Sequence, residues 1–584
     1  MQRLKTLIIL FIISSSFTFS DNKSIVTQSA NVVIDVFEGV SSVRHLTPYM
    51  ADIARNGHLL PEYNKIKLKS LGFDFSGETV IMTRSTNYDY FYDTENFRIH
   101  YDLTGTDSVD ITITNENNIP DYINTMANIF EEVYYHDITE LGYTPPPSDG
   151  TEGGSSHYDI YVKSTNAYGW TDYGTKIGDN QNSSENENNV YLSFITLRNN
   201  YIGFPNTELE NIQVTAAHEF FHAIQLGYDG DEALWLMEAT AVWMEEEHYD
   251  DVNDCYQYMI PWFEKPNLSL NSLAGLHPYG SFILFKYIDE HLGGADIIKR
   301  TWEQSRLFDS YIEDYSVQSI DLALKSLNHT FKKALNNMAI ANCILSSDNS
   351  AGQYAYEEAL GYHNYREYSY FDTLSIQLGI YDSIDFNKGI LDTIESHNLQ
   401  QYGSQYININ TNDPVKVSIK KTIGDYDPIS DLTLHTIAKT VNGNYEVQTG
   451  QILNIDPGSN TEWIYAVIIA DGVDGNNYNY ELTFSDGKIN TETNFTVASP
   501  YPNPFNNSIT IKLNVVIPQN IELAVYDILG RKIDTLHSGY VSSGSYEYLW
   551  NGVNTNNEKV SSGVYYIKAV SDNRQEWKKI TLIK

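Results

Sequence analysis

Apolar and polar positions alternate differently in the two halves of this chain. From Thr207 to about residue 360, apolar residues recur at helical spacing, as in "YGSFILFKYIDEHLG". Beyond about Glu367 the pattern changes to short alternating runs such as "VKVSIKK" and "WIYAVIIA", separated by Gly, Asp, Asn and Pro. Such runs predict β-strands joined by turns, and their spacing is typical of β-sandwiches.

The region before Thr207 mixes both patterns. "ENFRIHYDL", "HYDIYVK" and "VYLSFITL" are predicted strands, and "IPDYINTMANIFEEVYYHDITELGY" places Ile123, Met126 and Phe130 on one helix face. Residues 93–365 therefore read as one α+β domain. We expect "VYLSFITL" to form a sheet edge to which an extended peptide could be added as a further strand.

The chain is too long for a single core, and four boundaries follow from its pattern. In residues 1–20, Arg3 and Lys5 precede an apolar run and small residues follow it, which predicts a cleaved signal peptide. Residues 21–92 are either a removable pro-segment or an ordinary N-terminal subdomain. Without cysteine this segment could inhibit only sterically. Residues 366–490 predict an accessory β-sandwich and residues 491–584 a second, Ig-like one.

Composition excludes several classes of protein. Lys and Arg number 37 against 76 Asp and Glu, and the net charge of -39 disfavours nucleic acid and anionic membranes as partners. The apolar run of the signal peptide is too short to span a membrane, and no other apolar stretch is long enough for a transmembrane segment. Cys255 and Cys343 are too few for a disulfide framework or a cysteine-rich zinc site, and whether they pair stays open. We expect a monomer.

The stretch "TELENIQVTAAHEFFHAIQLG" predicts a helix over Thr207–Leu226. Thr207 and Glu210 suit a capping box, and Gly227 is placed to end the helix. His218 and His222 lie one turn apart on it, so both imidazoles can reach one zinc ion.

Two carboxylates complete this pattern. Glu219 is offset from the histidine pair and is free to deprotonate a zinc-bound water. Glu238 is the single charge in the apolar helix "ALWLMEATAVWM", where a buried carboxylate needs a positive partner. Two histidines and one glutamate leave a fourth position for water, as catalytic zinc sites do. Glu245, two turns after Glu238, could orient a ligand histidine. The alternative is that His218 and His222 are core side chains.

"AAHEFFHAIQ" followed by "WLMEATAVWMEE" resembles the gluzincin class of zinc metallopeptidases. It is most similar to a family of secreted bacterial metalloproteases first described from myxobacteria, over about residues 93–365. The resemblance implies a zincin-like fold with His218, His222 and Glu238 as zinc ligands and Glu219 as general base. Val242 stands where thermolysin-like members have an Asp that supports a ligand histidine.

Weaker signals concern the oxyanion and calcium. Tyr279 and His277, in "LHPYGSFILF", are candidates to stabilise the oxyanion of a tetrahedral intermediate, with packing and capping as the alternative. "DGVDGNN" and "GDYDPISD" could bind Ca²⁺, although such clusters also form ordinary turns.

The segments "SPYPNPFNNSITIKL", "VYDILGRKI" and "KKITLIK" resemble the type IX secretion C-terminal sorting domain. This resemblance implies passage through the periplasm, the type IX machinery as a partner, and a secreted or surface-attached location. The alternative is a permanent Ig-like domain without an address function.

Together these patterns predict a secreted zinc-dependent endopeptidase acting on proteins or peptides. Two alternatives remain. One is a surface adhesion protein with an idle zincin domain, and the other is a zinc amidase or glycopeptide hydrolase, because specificity depends on pocket shape.

Overall fold

The structure is a computed structural model. It describes residues 22–84, 87–308, 315–363, 378–387, 389, 391–422, 431–458, 460–472, 478–487, 495–516, 518–556, 558–571 and 574–583. The predicted signal peptide, most of both candidate calcium loops and the boundary near residue 366 lie outside these ranges. No helix among the described residues has the length and apolar character needed to cross a membrane.

The N-terminal segment, residues 22–82, forms a small helical layer with its own apolar core. The stretch "TPYMADIARNGHLLPEYNKIKLKSLG" forms two helices, because Gly57 and Pro61 interrupt it. Its core side chains pack against Trp170 of the neighbouring sheet. The elements are α1 (22–37), α2 (Thr47–Asn56), α3 (Glu62–Ser70), β1 (Phe73–Asp74) and β2 (Ile81–Met82).

The α+β unit, residues 87–363, begins with a five-stranded sheet of order β3-β4-β5-β7-β6. The neighbouring strands β4, β5 and β7 are parallel, whereas β3 and β6 pair antiparallel at the two edges. The elements are β3 (Tyr90–Asp93), β4 (Phe97–Tyr101), α4 (Asp121–Tyr134), β5 (Tyr158–Lys163), β6 (Gly169–Gly178) and β7 (Val190–Arg198).

The prediction that "VYLSFITL" forms an edge of the sheet is wrong. "VYLSFITL" is β7, which lies between β5 and β6, and the edge is β6. The sequence "GWTDYGTKIG" of β6 hides its strand character because glycines interrupt the apolar alternation. Two of these glycines are required by packing: a Cβ at Gly169 would lie 3.0 Å from the Thr196 carbonyl oxygen, and one at Gly174 would lie 2.9 Å from that of Leu192.

Helices cover one face of this sheet and contain the histidine motif. The capping box of Thr207 and Glu210 is present as expected. The expected stop at Gly227 is wrong, because the helix continues to Asp229. Gly227 instead lets Asn180 approach: its side-chain nitrogen donates to the Gly227 carbonyl, and a Cβ there would lie 3.0 Å from that nitrogen.

The helices of this unit follow one another along the chain. They are α5 (Glu208–Asp229), α6 (Leu234–Tyr249), α7 (Tyr256–Glu264), α8 (His277–Gly280), α9 (Phe282–Leu292), α10 (Ala295–Ser305), α11 (Ser316–Lys325), α12 (Phe331–Ile344) and α13 (Ala359–His363).

Two β-sandwiches follow, as the alternation predicted. The middle sandwich, residues 378–487, has sheets of order β13-β12-β15-β10-β8 and β14-β11-β16-β9 around one core. Its strands are β8 (Ile380–Asp385), β9 (Asp392–Leu399), β10 (Ser404–Asn410), β11 (Val415–Lys421), β12 (Leu432–Thr440), β13 (Tyr445–Thr449), β14 (Ile452–Ile455), β15 (Thr461–Ala470) and β16 (Tyr478–Asp486).

The C-terminal sandwich, residues 495–583, has a separate core between sheets of order β17-β18-β21 and β20-β19-β22-β23. Its strands are β17 (Phe495–Val497), β18 (Ile509–Val515), β19 (Gln519–Asp527), β20 (Lys532–Val541), β21 (Gly544–Trp550), β22 (Gly563–Ser571) and β23 (Arg574–Leu582).

The middle sandwich is packed directly against α12. The Tyr406 hydroxyl donates to the Ala339 carbonyl at 3.0 Å. The carboxylate of Asp471 accepts from Lys332, Asn336 and Thr433, at distances between 2.6 and 2.9 Å. Asp471, the first residue of one candidate calcium loop, therefore already serves as an interface group.

Both cysteines are buried free thiols. The pairing that the sequence left open is absent from the structure, and burial raises the pKa of both thiols. Neither thiol is therefore in the reactive thiolate form at neutral pH.

Candidate metal centre

Three buried donor atoms converge where α5 packs on α6. The Nε2 atoms of His218 and His222 are 3.1 Å apart. Glu238, on α6, places one carboxylate oxygen 3.4 Å from the His218 Nε2 and the other 3.3 Å from the His222 Nε2. All three side chains are at most 2% exposed. This trio, predicted from the sequence, is close enough to bind one metal ion.

The outer ring nitrogens fix the tautomers of the histidines. His218 Nδ1 lies 2.6 Å from a carboxylate oxygen of Glu245, and His222 Nδ1 lies 2.7 Å from the amide oxygen of Gln225. Both oxygens can only accept, so each Nδ1 carries the hydrogen and each neutral ring presents its Nε2 lone pair inward. Two lone pairs 3.1 Å apart repel unless a proton on one ring or a metal ion lies between them. The donor set therefore fits a metal ion.

Gln225 is a site residue that sequence reasoning missed. Its amide nitrogen donates to the Met237 carbonyl at 2.9 Å and to the Thr240 hydroxyl at 3.0 Å, which leaves its oxygen for His222. Its position three residues after His222 was the only signal, since side chains at that spacing share a helix face.

Glu245 supports His218, as the sequence suggested it could. Val242 is fully buried in the apolar core, so the supporting carboxylate comes from the next turn of α6.

The electrostatics of the trio call for positive charge. Burial would raise the pKa of Glu238, but the neighbouring His222 and His218 outweigh it and lower this pKa to about 2. Burial would likewise lower the pKa of His218, and the carboxylates of Glu238 and Glu245 instead raise it to about 10. Both oxygens of Glu238 are buried without a hydrogen-bond donor among the described residues. Positive charge between these carboxylates, from a protonated His218 or from a metal ion bound by the trio, therefore stabilises them.

Glu219 is anchored through one of its two oxygens. Its Oε2 accepts a hydrogen bond from the Thr47 hydroxyl at 2.8 Å. The Thr171 hydroxyl shares its one hydrogen between this Oε2, at 2.9 Å, and the Glu219 carbonyl oxygen, at 2.7 Å. Its Oε1 is buried without a hydrogen-bond partner among the described residues. The arrangement holds the carboxylate in place and leaves one oxygen to accept a proton.

The two oxyanion candidates lie in different surroundings. The Tyr279 ring stacks on those of His45 and Tyr258, with centroids 5.0 and 5.1 Å away. Burial raises its pKa well above 10, and the nearby charge of Glu238 adds to this. His277 instead stacks on Trp262 at 4.6 Å, and burial lowers its pKa to about 4. Tyr279 is therefore the candidate that the fold brings towards the trio.

The N-terminal segment contributes two residues that sequence reasoning did not place here. The His45 ring stacks on that of His218 with centroids 4.0 Å apart, and its Nε2 lies 2.7 Å from the Tyr258 hydroxyl. Thr47 bonds Glu219 as described. Both contacts span more than 170 positions of sequence, and no local motif indicates them.

Comparisons with known proteins inform mainly the end of the chain. No curated protein matches the sequence. Among solved structures, PorZ, a surface component of the type IX secretion system of Porphyromonas gingivalis, is 19% identical, covers 18% of this chain and 14% of its own, and has a TM-score of 0.13. Dimeric latent PorU from Porphyromonas gingivalis is 12% identical, with coverages of 35% and 19% and a TM-score of 0.15.

A β-glucuronidase from Faecalibacterium prausnitzii is 8% identical, with coverages of 31% and 36% and a TM-score of 0.11. The chain thus spans well under half the length of these proteins. Residues 499–584 match the family described as the Secretion system C-terminal sorting domain, which indicates a secreted or cell-surface protein that meets the type IX machinery.

Proposed function

We propose that this chain is a secreted zinc-dependent endopeptidase. The observation that carries the proposal is the convergence of His218, His222 and Glu238 beside an anchored Glu219. A tetrahedral ion with Zn–N distances near 2.0–2.1 Å sets its ligand atoms about 3.3 Å apart. The three separations here, 3.1, 3.3 and 3.4 Å, agree with that spacing.

Each residue then has a defined part in the reaction. Zinc held by the trio would supply a polarised scissile carbonyl and a water of lowered pKa. Glu219 Oε1 accepts a proton from the attacking water and returns it to the leaving amine, while Thr171 holds the other carboxylate oxygen. The Tyr279 hydroxyl donates to the oxygen on which negative charge develops.

Glu245 and Gln225 keep the two imidazoles in the tautomer that ligation requires. Such outer hydrogen bonds fix ring orientation and strengthen the ligand. A complete set of ligands, base and supporting residues argues against the adhesion alternative with an idle domain.

Metal content and proteolysis, measured together, test the proposal. We expect one zinc per chain by mass spectrometry. Casein cleavage is measured after removal of the N-terminal segment, residues 22–82. We expect it to fall about 10²- to 10⁴-fold in Glu219→Gln, because proton transfer is lost. The conservative substitution keeps the size of the side chain, so zinc content should be unchanged.

Absence of zinc from the wild-type chain would contradict the metal site, and casein cleavage equal in Glu219→Gln would contradict the assigned base. Zinc with hydrolysis of amides or glycopeptides only would favour the amidase alternative.

A further inference from the structure

The edge of strand β6 is occupied by the chain itself. The Val43 amide donates to the Asn166 carbonyl at 3.3 Å, and the Tyr168 amide donates to the Arg44 carbonyl at 3.1 Å. His45 then forms a parallel bridge with Gly169. Residues 43–45 thus pair with residues 166–169, at the N-terminal end of β6, through two hydrogen bonds and one isolated bridge. An extended peptide makes the same kind of contact with a free sheet edge.

Thr47 continues this contact into the proposed catalytic centre. Its hydroxyl oxygen accepts from the Thr171 amide of β6 at 2.9 Å and donates to Glu219 Oε2 at 2.8 Å. An edge amide such as that of Thr171 is the group that would bind a substrate carbonyl. One side chain therefore occupies both the edge amide and the proposed general base.

The contact closes the site to solvent. His218, Glu219 and His222 are 0% exposed and Glu238 is 1% exposed. His45 covers the face of His218, while Thr47 is 1% exposed beside Glu219. An endopeptidase must bring a scissile bond to these groups, so no peptide can be cleaved in this arrangement.

The N-terminal segment is firmly anchored over the site. Arg44 forms a largely buried ion pair with Asp254 and lies 4.2 Å over the ring of Tyr168. Arg55 donates to the Glu232 carbonyl at 2.9 Å and to the Tyr173 hydroxyl at 3.0 Å. Buried charged contacts of this kind disfavour spontaneous opening, because leaving Arg44 or Asp254 unpaired is costly.

From these contacts we infer that residues 22–82 are an inhibitory pro-segment. Its residues 43–45 cover the start of the peptide-binding edge of β6, and the Thr47 side chain occupies the Thr171 amide of that edge. The inference rests on the proposed function and adds its regulation and its substrate-binding strand. Activation is the hydrolysis of one peptide bond by a second protease, followed by release of the segment. Thr171 still holds Glu219 Oε2 afterwards, so the base remains positioned.

The exposed loop at residues 76–78 offers a place to test release. A recognition sequence for a site-specific protease is inserted after Gly77 in the chain beginning at Asp21, with and without Arg44→Ala to weaken the anchor. Cleavage there frees the part of the segment up to Gly77, which carries His45 and Thr47, and leaves β2 on the α+β unit. The matched control carries the same insertion after Asn442, in the turn between β12 and β13. Gel filtration reports whether the fragment leaves.

Three measurements follow cleavage: hydrogen exchange of the Thr171 amide, binding of a hydroxamate that ligates zinc, and hydrolysis of a fluorogenic peptide. We expect release to raise each by about tenfold or more, because a closed state lowers apparent affinity by the fraction of open molecules. Cleavage of the control should change none of them.

The outcomes separate this inference from the proposed function. Faster amide exchange without hydroxamate binding or peptide hydrolysis supports the pro-segment and contradicts the zinc peptidase. Unchanged exchange after proven release, or hydrolysis that falls on release, overturns the pro-segment. A complex that retains its fragment and stays closed agrees with it, whereas one that retains the fragment and is fully active overturns it.

Discussion

At the scale of single residues, the hydrogen bond that His218 donates to Glu245 bears on the affinity of the proposed zinc site. We expect Glu245→Gln to weaken zinc affinity about 10- to 100-fold, since an amide orients the imidazole less strongly than a carboxylate. Competition with a chelator measures this affinity. The matched control is Glu247→Gln, a partly exposed carboxylate on the same helix. Equal affinities in the two variants would contradict a supporting role for Glu245.

Asp172 makes a prediction about pH. Burial raises its pKa to about 7, with partial relief from Lys163 and from hydrogen bonds donated by Thr196 and Trp170. The folded state then holds a proton that the unfolded state releases near pH 4. Stability from this group is therefore present at low pH and lost as pH rises towards 7.

Replacing this carboxyl by an amide removes its titration. Between pH 5 and 7.5 we expect the free energy of unfolding to fall less in Asp172→Asn than in the wild type. The difference should be at most a few times the value of one pKa unit, which is about 1.4 kcal/mol. Urea unfolding at the two pH values measures the difference. A pH dependence identical to that of the wild type would show that Asp172 is already ionised at pH 5.

At the scale of elements, the sequence predicted the helices and strands whose pattern lies within a short stretch of chain. The helix α5 was predicted from its apolar spacing and its capping box, and the pairing of His218 with His222 followed from helical geometry alone. Strand β6 was missed because Gly169 and Gly174, which let it approach β7, also break the apolar alternation. Contacts of Thr47 were missed because they join distant segments, and no local pattern encodes such pairs.

The contact between α2 and β6 gives a prediction at the same scale. Thr47→Val removes the hydroxyl that bridges the Thr171 amide and Glu219 while keeping side-chain volume. We expect it to weaken docking of the N-terminal segment by about 1–3 kcal/mol, since two buried polar groups lose their partner. Hydrogen exchange of the Thr171 amide in the uncleaved chain reports this loss, and Thr47→Ser should preserve protection. Protection that survives in Thr47→Val would show that the hydroxyl does not hold the segment.

At the scale of the whole molecule, the middle sandwich packs on the α+β unit and shares an apolar cluster with it. Side chains of β10, β12 and β15, including Tyr406 and Val467, belong to the same apolar cluster as the helices around the candidate metal centre. Alternation of apolar residues predicted the sandwich but not its contact with the α+β unit. An apolar position in a strand does not reveal whether the other sheet or a neighbouring unit buries it. The C-terminal sandwich has a core of its own, which suits a sorting domain.

Because the two units share an apolar cluster, we expect a substitution at their interface to destabilise the α+β unit that contains the candidate metal centre. Asp471→Ala leaves Lys332, Asn336 and Thr433 without their shared acceptor. We expect the unfolding midpoint of the α+β unit to fall by about 2–6 °C, from a loss of about 1–3 kcal/mol. Calorimetry of the chain with its sorting domain present resolves this transition, and Asp456→Ala, at an exposed turn, is the control. A middle sandwich that is only a spacer would unfold separately from the α+β unit. A lowered midpoint in a transition that does not release zinc would therefore contradict common unfolding of the two units. Release of zinc in the same transition whose midpoint falls would support it.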